Sequence, residues 1–234
     1  MPLLSLVVPT YNERDNIVPL LDAVRAAMAG RELEVWVVDD DSPDLTWQLA
    51  SQYAQQHPEV SVIRRVGARG LSAAVVEGFE KCRGDLLAVI DADLSHDPDL
   101  LPKLADAVAD GAAVAVGSRR IVGGSTENWT WHRRKTSDVA TRLARWWLHV
   151  PLSDPMSGYF VLRRSVYQAV RGKMHNRGYK ILLEIVCCAG ETRLAEIPYT
   201  FKDRRQGVSK LSVRVMAQFL KSLWELRGAR KSAG

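Results

Sequence analysis

The residues best suited to chemistry are carboxylates gathered in two short clusters. Asp39, Asp40 and Asp41 sit in the stretch VVDDDSPD, while Asp91 and Asp93 open DADLSHDP, with Asp97 and Asp99 close behind. Carboxylates crowded at one rim repel each other unless a cation or hydroxyl donors satisfy them. Asp91 and Asp93, two apart on an extended chain, can reach a hard divalent ion such as Mg2+ or Mn2+. Such ions take one or two carboxylates and leave the rest of the octahedron to phosphate oxygens and water. A D-x-D in isolation is more often a turn or a helix cap. Its place at a strand end, with a second acidic cluster, favours the metal here.

Opposing charge comes later in the chain. Arg119 follows the apolar run AAVAVGS, Arg133, Arg134 and Lys135 form one basic group, and Arg204, Arg205 and Lys210 flank Gly207. Guanidinium groups grip phosphate oxygens in a planar fork and lysine offers a mobile point charge, so the mixture suits a diphosphate or two separate phosphates. No histidine stands out as a general base. His96 adjoins the D-x-D and reads as a supporting residue, and Asp154 reads as part of a turn.

These residues need a scaffold that brings strand ends together. The first half alternates short apolar runs with helix-like stretches, the pattern of a mostly parallel sheet covered by helices. Strands are expected at 3–9, 33–40, 60–65, 85–93 and 112–119, with helices at 15–28, 45–56 and 70–82 and another after Pro98. Both acidic clusters then fall at carboxyl ends of strands, where open α/β sheets bind ligands. Beyond residue 119 the rhythm changes. The spacing predicts a polar loop over 120–135 and a helix over 136–149 with Val139, Leu143 and Trp146 on one face. A short strand at 159–162, a helix at 180–189, a basic loop at 202–210 and a final amphipathic helix from Leu211 complete the chain.

The chain has 234 residues, 47% hydrophobic and 25% charged, which excludes a disordered or fibrous class. Its apolar runs fall short of the roughly 18 residues that would span a bilayer. The opening MPLLSLVVPTYNE reads as a strand entering a turn rather than a leader, so a cytoplasmic protein is expected. Three cysteines without metal-ligand spacing read as reduced core residues. One domain over 1–234 is expected, divided into halves at 1–119 and 120–234. The net charge of +5 conceals an asymmetry: residues 1–117 hold nine Lys/Arg against 19 Asp/Glu, net −10, and residues 118–234 hold 23 against eight, net +15. A pI near 9.2 for the whole chain, with its basic second half, raises the question of nucleic acid. The acidic first half and the lack of a nucleic-acid motif argue against it, and a heavily phosphorylated substrate is the better match.

The motifs PTYNE at 9–13, VVDDDSPD at 37–44, DADLSHDP at 91–98, GSR at 117–119, DPMSGYFVLRR at 154–164, RGYK at 177–180 and FKDRRQGVSKLS at 201–212 run through nearly the whole chain. In that order they resemble the dolichyl-phosphate mannosyltransferases, or polyprenol-monophosphomannose synthases, of inverting glycosyltransferase family 2. The resemblance implies a GT-A type nucleotide-sugar-binding fold. It also implies that Pro9, Tyr11 and Glu13 line a nucleotide pocket, with Val38 and Asp40 holding base and ribose. Asp91 and Asp93 would hold Mg2+ or Mn2+, with the Ala92 backbone nearby. Arg119, Arg204 and Lys210 would grip phosphates, and Arg133 or Arg134 the phosphate of a lipid acceptor. Ser95 stands where many members carry glutamine, and Met156 and Val161 replace a threonine and an arginine.

The reaction so implied moves mannose from GDP-mannose to a polyprenyl phosphate, Asp91, Asp93, Arg119 and Arg204 being the residues expected to carry it. UDP-glucose is the alternative donor, and a non-catalytic nucleotide-sugar binder a further one. Negative charge develops on the departing diphosphate, and an acceptor monophosphate is largely ionised at neutral pH, so no strong base is needed. Trp129, Trp131, Trp146 and Trp147, with the basic final helix, suggest an anionic membrane surface as a partner, met directly or through a membrane-anchoring protein. For the final helix, docking on the protein core is the competing expectation. Peripheral placement at the cytoplasmic face of a membrane follows.

Overall fold

In the computed structural model of this chain, residues 2–127, 131–175, 180–190, 192–202, 223, 224, 226 and 227 are described, His132 and Arg133 by backbone alone. Seven strands make the central sheet: β1 (Leu4–Thr10), β2 (Leu33–Asp39), β3 (Val60–Arg64), β4 (Leu86–Val89), β5 (Val114–Ser118), β7 (Phe160–Arg163) and β8 (Leu194–Pro198). A parallel pair, β6 (Ser125–Thr126) with β9 (Thr200–Phe201), stands apart. The sheet order is β3-β2-β1-β4-β7-β5-β8, with β7 antiparallel to both neighbours and every other pairing parallel. The expected mostly parallel sheet is therefore present.

Sheet and helices assemble because β1, β4 and β5 are buried on both faces, the reason their sequences read as unbroken apolar runs. Side chains alternate across the strand, so Leu6 and Val8 enter one core and Val7 the other. The first core is closed by α1 (Arg14–Ala27), through Ile17, Leu20, Leu21 and Val24, and by α4 (Leu101–Ala109). On the other face lie α3 (Leu71–Lys81) and α7 (Ile181–Ala189), meeting around Phe79 and Phe160. Helices α2 (Thr46–Ala54) and α6 (Arg164–Val170) also flank the sheet, α6 and β8 lying in segments that the sequence pattern left without an element. Cys82, Cys187 and Cys188 are buried, as expected of core residues, and burial pushes the Cys82 thiol up to about 12.

The structure corrects the second half in two places. Helix α5 spans Trp131–Leu148, beginning five residues before the expected start, so Arg133, Arg134 and Lys135 stand on its first turns rather than in a loop. Its packed face is Thr141, Ala144 and Leu148, whereas Val139 and Trp146 face outward and Leu143 is only partly covered. Most of the final amphipathic helix lies outside the described residues. Of its described positions, Leu223 and Leu226 are buried in the core and Trp224 is exposed, which agrees with core docking for that face.

Candidate active site

The carboxyl ends of β1, β2 and β4 form one rim. At the end of β2 each aspartate has its own task. Asp39 is fully buried and accepts hydrogen bonds from Thr10 Oγ1 (2.7 Å), the Ser42 hydroxyl (2.7 Å) and the Ser42 amide (2.8 Å), tying β1 to β2. Asp40 pairs with the buried Arg65 guanidinium and accepts from the Gly70 amide at 2.7 Å. Asp41, in the left-handed region at φ 56°, binds Arg64 at 2.6 Å. The cluster thus finds protein partners, and Asp40 organises the loop that carries Arg69 over the Tyr11 ring at 4.6 Å. Tyr11 is 40% exposed and offers an aromatic face beside this loop. Glu13 stands at the start of α1, its carboxylate accepting from Asn16 at 2.8 Å, and Pro9 is partly buried. Val38 is different: its side chain is buried in the core, so only its backbone can face a ligand.

The D-x-D follows β4. Leu94, just beyond it, has φ 59°, a conformation that costs a leucine energy and survives where the surroundings impose it. Asp93 is buried and accepts from the Ser95 amide at 3.1 Å. Asp91 is partly open, and its Oδ2 lies 3.3 Å from Nε2 of the buried His96. The other nitrogen of His96 is 2.8 Å from the Tyr199 hydroxyl, and the ring is packed among Tyr159, Tyr199 and Phe201. His96 therefore holds Asp91 against β8 and β9. On the opposite side a Cβ at Gly158 would come within 2.7 Å of Asp91 Oδ2, so glycine leaves the space that carboxylate occupies. The buried Ser95 hydroxyl finds no partner among the described residues.

These donors fit a hard divalent cation. Asp91 and Asp93 would offer such an ion carboxylate oxygens and leave further positions to substrate phosphates and water; among the described residues no group of three or more His, Cys, Asp or Glu gathers to hold one. Ala92, between the two aspartates, is buried.

Arg119 links this rim to a second feature. It forms a bidentate pair with the fully buried Asp154, Nε to Oδ2 at 2.6 Å and Nη2 to Oδ1 at 2.8 Å, with the Arg119 amide donating to the same carboxylate. Burial alone would raise the Asp154 pKa, but the Arg119 guanidinium more than offsets it and holds the carboxyl below the usual range. Glu196 accepts from the amides of Ser153 and Asp154 and fixes the turn. Lys180 stands at the start of α7 with its ammonium pKa lowered by burial and by Arg119, against the opposing pull of Asp91 and Asp154.

Beside Arg119 opens a pocket of about 380 Å3 lined by Arg119, Arg120, Ser125, Thr126, Arg134 and Asp138. Arg120 reaches Asp138 at 2.5 Å and Ser137 at 2.8 Å, and its buried Nε has no partner among the described residues. Three guanidinium groups against Asp138 in the lining and Asp154 behind Arg119 leave an excess of positive charge, which suits an anion. Of the basic residues singled out in the sequence, Arg119 and Arg134 line this pocket. Arg133 is placed by its backbone alone, and Arg204, Arg205 and Lys210 lie outside the described residues. Arg120, Lys180, the Tyr199–His96 link and the Arg65 pairing had no local signal, except that Arg120 adjoins Arg119 and Lys180 closes the RGYK motif.

Comparison with known proteins identifies the family. The model of the family "Glycosyl transferase family 2" matches residues 5–171. The dolichol-phosphate mannosyltransferase of Pyrococcus furiosus is 40% identical over 226 residues, covering 95% of this chain, which spans 63% of that protein's length. The polyprenol monophosphomannose synthase of Mycolicibacterium smegmatis is 37% identical, with 95% and 87% covered. Among solved structures, a mannosyltransferase from Pyrobaculum calidifontis in complex with GDP-Man and Mn2+ superposes with a TM-score of 0.68 at 18% identity, covering 100% of this chain and 65% of that one. By the family match and these identities, the chain belongs to glycosyl transferase family 2, in the group of the dolichol-phosphate mannosyltransferases and polyprenol-monophosphomannose synthases.

Proposed function

We propose that the chain transfers mannose, with inversion, from GDP-mannose to a polyprenyl phosphate of the dolichyl type at the cytoplasmic face of a membrane. The observation that carries this reading is the shared wall of two sites. The D-x-D rim, suited to a cation and a diphosphate, and the arginine pocket, suited to a phosphate, meet at Arg119, which feels the charge of both Asp91 and Asp154. Donor and acceptor phosphates can then lie on either side of one sugar. The names of the relatives support a polyprenyl phosphate acceptor, and the solved mannosyltransferase complex supports GDP-mannose and Mn2+.

Asp91 and Asp93 would hold Mg2+ or Mn2+, which when bound supplies electrostatic stabilisation to a departing diphosphate. The protein's own part is orientation. Tyr11 and the Arg69 loop offer a stacking surface for a base, with Pro9, Glu13, Asp40 and the Val38 backbone around it. His96 and Gly158 fix the Asp91 carboxylate. Arg119, Arg120 and Arg134, with Arg133 on the same helix, receive the acceptor phosphate, and Arg204 and Lys210 contribute to the donor phosphates. A phosphate monoester with a second pKa near 6 is already an anion at neutral pH and attacks without a base.

The test is transfer of labelled sugar to a polyprenyl phosphate in detergent, comparing GDP-mannose with UDP-glucose in Mg2+ and in Mn2+. Product from GDP-mannose alone, lost in Asp93→Ala with the fold retained by circular dichroism, is the expected result. Product from UDP-glucose alone replaces the donor, and no product from either overturns the reading.

A further inference from the structure

Lysine is the wrong residue, as far as folding is concerned, for the place that Lys180 holds. It stands at the N-cap of α7, where the first backbone N–H groups give the helix a positive pole and where a hydroxyl or carboxylate side chain is preferred. No side chain caps this end, and the residues that follow, Ile181, Leu182 and Leu183, are buried. Glu184, the acid of the first turn, is buried as well, its carboxylate accepting from the His175 amide. Lys180 itself is partly buried, so a cation is added to a positive pole in a largely enclosed place.

Its surroundings do not compensate. Burial and Arg119 disfavour the ammonium, Asp91 and Asp154 favour it, and the first two prevail. Asp154 is engaged by Arg119 and Asp91 lies against His96. Among the described residues the ammonium has no hydrogen bond or ion pair of its own. An ammonium whose pKa falls on folding opposes folding wherever it is charged. Local conflicts of this kind belong to functional sites, and what resolves this one is an anion. Position says which. Lys180 lies in the field of Asp91 on the D-x-D rim and of Asp154 behind Arg119, at the junction of the two phosphate sites. The donor side has Asp91 and Asp93 to hold a cation against the diphosphate charge. The acceptor side lacks such a counter-charge: a phosphate leaving the arginine pocket for the sugar approaches two carboxylates, and the Arg119 fork already engages one of them. A lysine ammonium, a mobile point charge with three donors, meets that need.

We propose that Lys180 binds the attacking phosphate of the acceptor and draws it from the arginine pocket to the point where it meets the donor sugar. The assignment rests on the transfer reaction proposed above. In that step an acceptor phosphate oxygen forms a bond to the anomeric carbon while the bond from that carbon to the diphosphate oxygen breaks, and the electron pair leaves with the diphosphate. No proton moves. Lys180 keeps its three protons and acts by charge alone, offsetting the repulsion that Asp91 and Asp154 exert on the incoming anion. The conflict at the start of α7 is then relieved only while the acceptor is bound.

The experiment compares the full chain with Lys180→Met and Lys180→Arg in three measurements: thermal denaturation without ligand, calorimetric titration with GDP in Mn2+, and titration of the chain loaded with GDP and Mn2+ by a short, water-soluble prenyl phosphate. Lys180→Met is expected to match or exceed the wild-type Tm, since it removes an uncompensated charge, and to bind GDP as the wild type does. Its affinity for the prenyl phosphate should fall by about tenfold to a hundredfold, the loss of one charge-assisted contact. Lys180→Arg should keep most of that affinity. Unchanged prenyl phosphate binding in Lys180→Met overturns the proposal. Weakened GDP binding with unchanged prenyl phosphate binding also overturns it and moves the ammonium to the donor. Should Lys180→Met fail to fold, Lys180→Gln takes its place, and a collapsed Tm in both shows that the ammonium serves the fold, which overturns the proposal as well. A wild-type chain that does not bind the prenyl phosphate does the same. A wild-type chain that binds it through Lys180 but transfers no mannose refutes the proposed reaction while leaving Lys180 as a phosphate ligand.

Discussion

Gly158→Ala separates the chemistry of the rim from the stability of the fold. A Cβ at this position would sit 2.7 Å from Asp91 Oδ2 and 3.2 Å from its Cγ and Oδ1. Ordinary contact begins near 3.4 Å, so the carboxylate must retreat by about 0.7 Å, the difference between 3.4 and 2.7. The atoms in the way are the end of one partly exposed side chain and not backbone, so the fold can yield cheaply. Turning Asp91 off its rotamer costs about 0.5–1.5 kcal/mol, and weakening its bond to His96 about as much again. Alanine recovers about 0.4–1 kcal/mol by stiffening the unfolded chain, because Gly158 is not in the left-handed region. The net loss is about 0–2.6 kcal/mol, a fall in Tm of at most about 10 °C at this chain length. Transfer should suffer far more, by about a hundredfold in kcat/KM, since misplacing a reacting group by about 1 Å has that effect. The assay pairs thermal denaturation with sugar transfer and includes Gly172→Ala, where a Cβ would meet nothing within 4 Å, as control. A Gly158→Ala protein with wild-type turnover would remove Asp91 from the role argued for it. A collapse in Tm well beyond this range would show that Gly158 serves the fold instead.

Other expectations follow from neighbouring contacts. Asp154→Ala leaves the buried Arg119 charge without its main partner and should cost about 3–5 kcal/mol in urea denaturation. Because the Asp154 pKa is depressed in the folded state, its contribution is complete above the usual carboxylate value and is lost as pH falls through the depressed one. Wild-type stability should therefore drop in acid by an amount that Asp154→Ala does not share. Tyr199→Phe removes the hydroxyl 2.8 Å from His96 and loosens the support of Asp91; transfer should need about tenfold more Mn2+ and recover at saturating metal, and an unchanged metal requirement would count against the link. Arg204→Ala and Lys210→Ala should lower kcat by about a hundredfold or more. Lys103→Ala, on the exposed face of α4, should leave it unchanged, and equal effects in all three would exclude the late basic segment from phosphate binding.

What the sequence makes legible is local. Strands β1 and β2 announce themselves as β-branched runs, and α1 through the spacing of Ile17, Leu20, Leu21 and Val24. Pairing order is not local: β7 enters between β4 and β5 although 70 residues separate Val89 from Phe160, and the run YFVL says nothing of its neighbours. Helix α5 begins early because side chains four apart support its polar first turns, Lys135 resting 4.0 Å over Trp131 while Arg120 holds Asp138. Periodicity also misjudged its inner face. Ala144 packs there because it is small, and the larger Val139 and Trp146 stay outside. At the site, residue type exposed Asp91 and Asp93, but not what supports them. His96 meets Tyr199 across 103 positions and Asp40 meets Arg65 across 25, contacts made only by the folded sheet.

The intruding antiparallel strand also imposes an order of assembly. Strands β1 to β4 are mutual neighbours and can pair from the first 89 residues, whereas β5 borders only β7 and β8, both made later. On the ribosome β5 therefore waits, with both edges unpaired, until residues 160–163 emerge, an interval in which an open apolar edge is exposed to chaperones or to misassociation. The turn holding Gly158 immediately precedes the strand that ends this wait. The D-x-D thus acquires its flanking wall only as the sheet closes, and a chain interrupted before that point holds both aspartates without the surface that orients them.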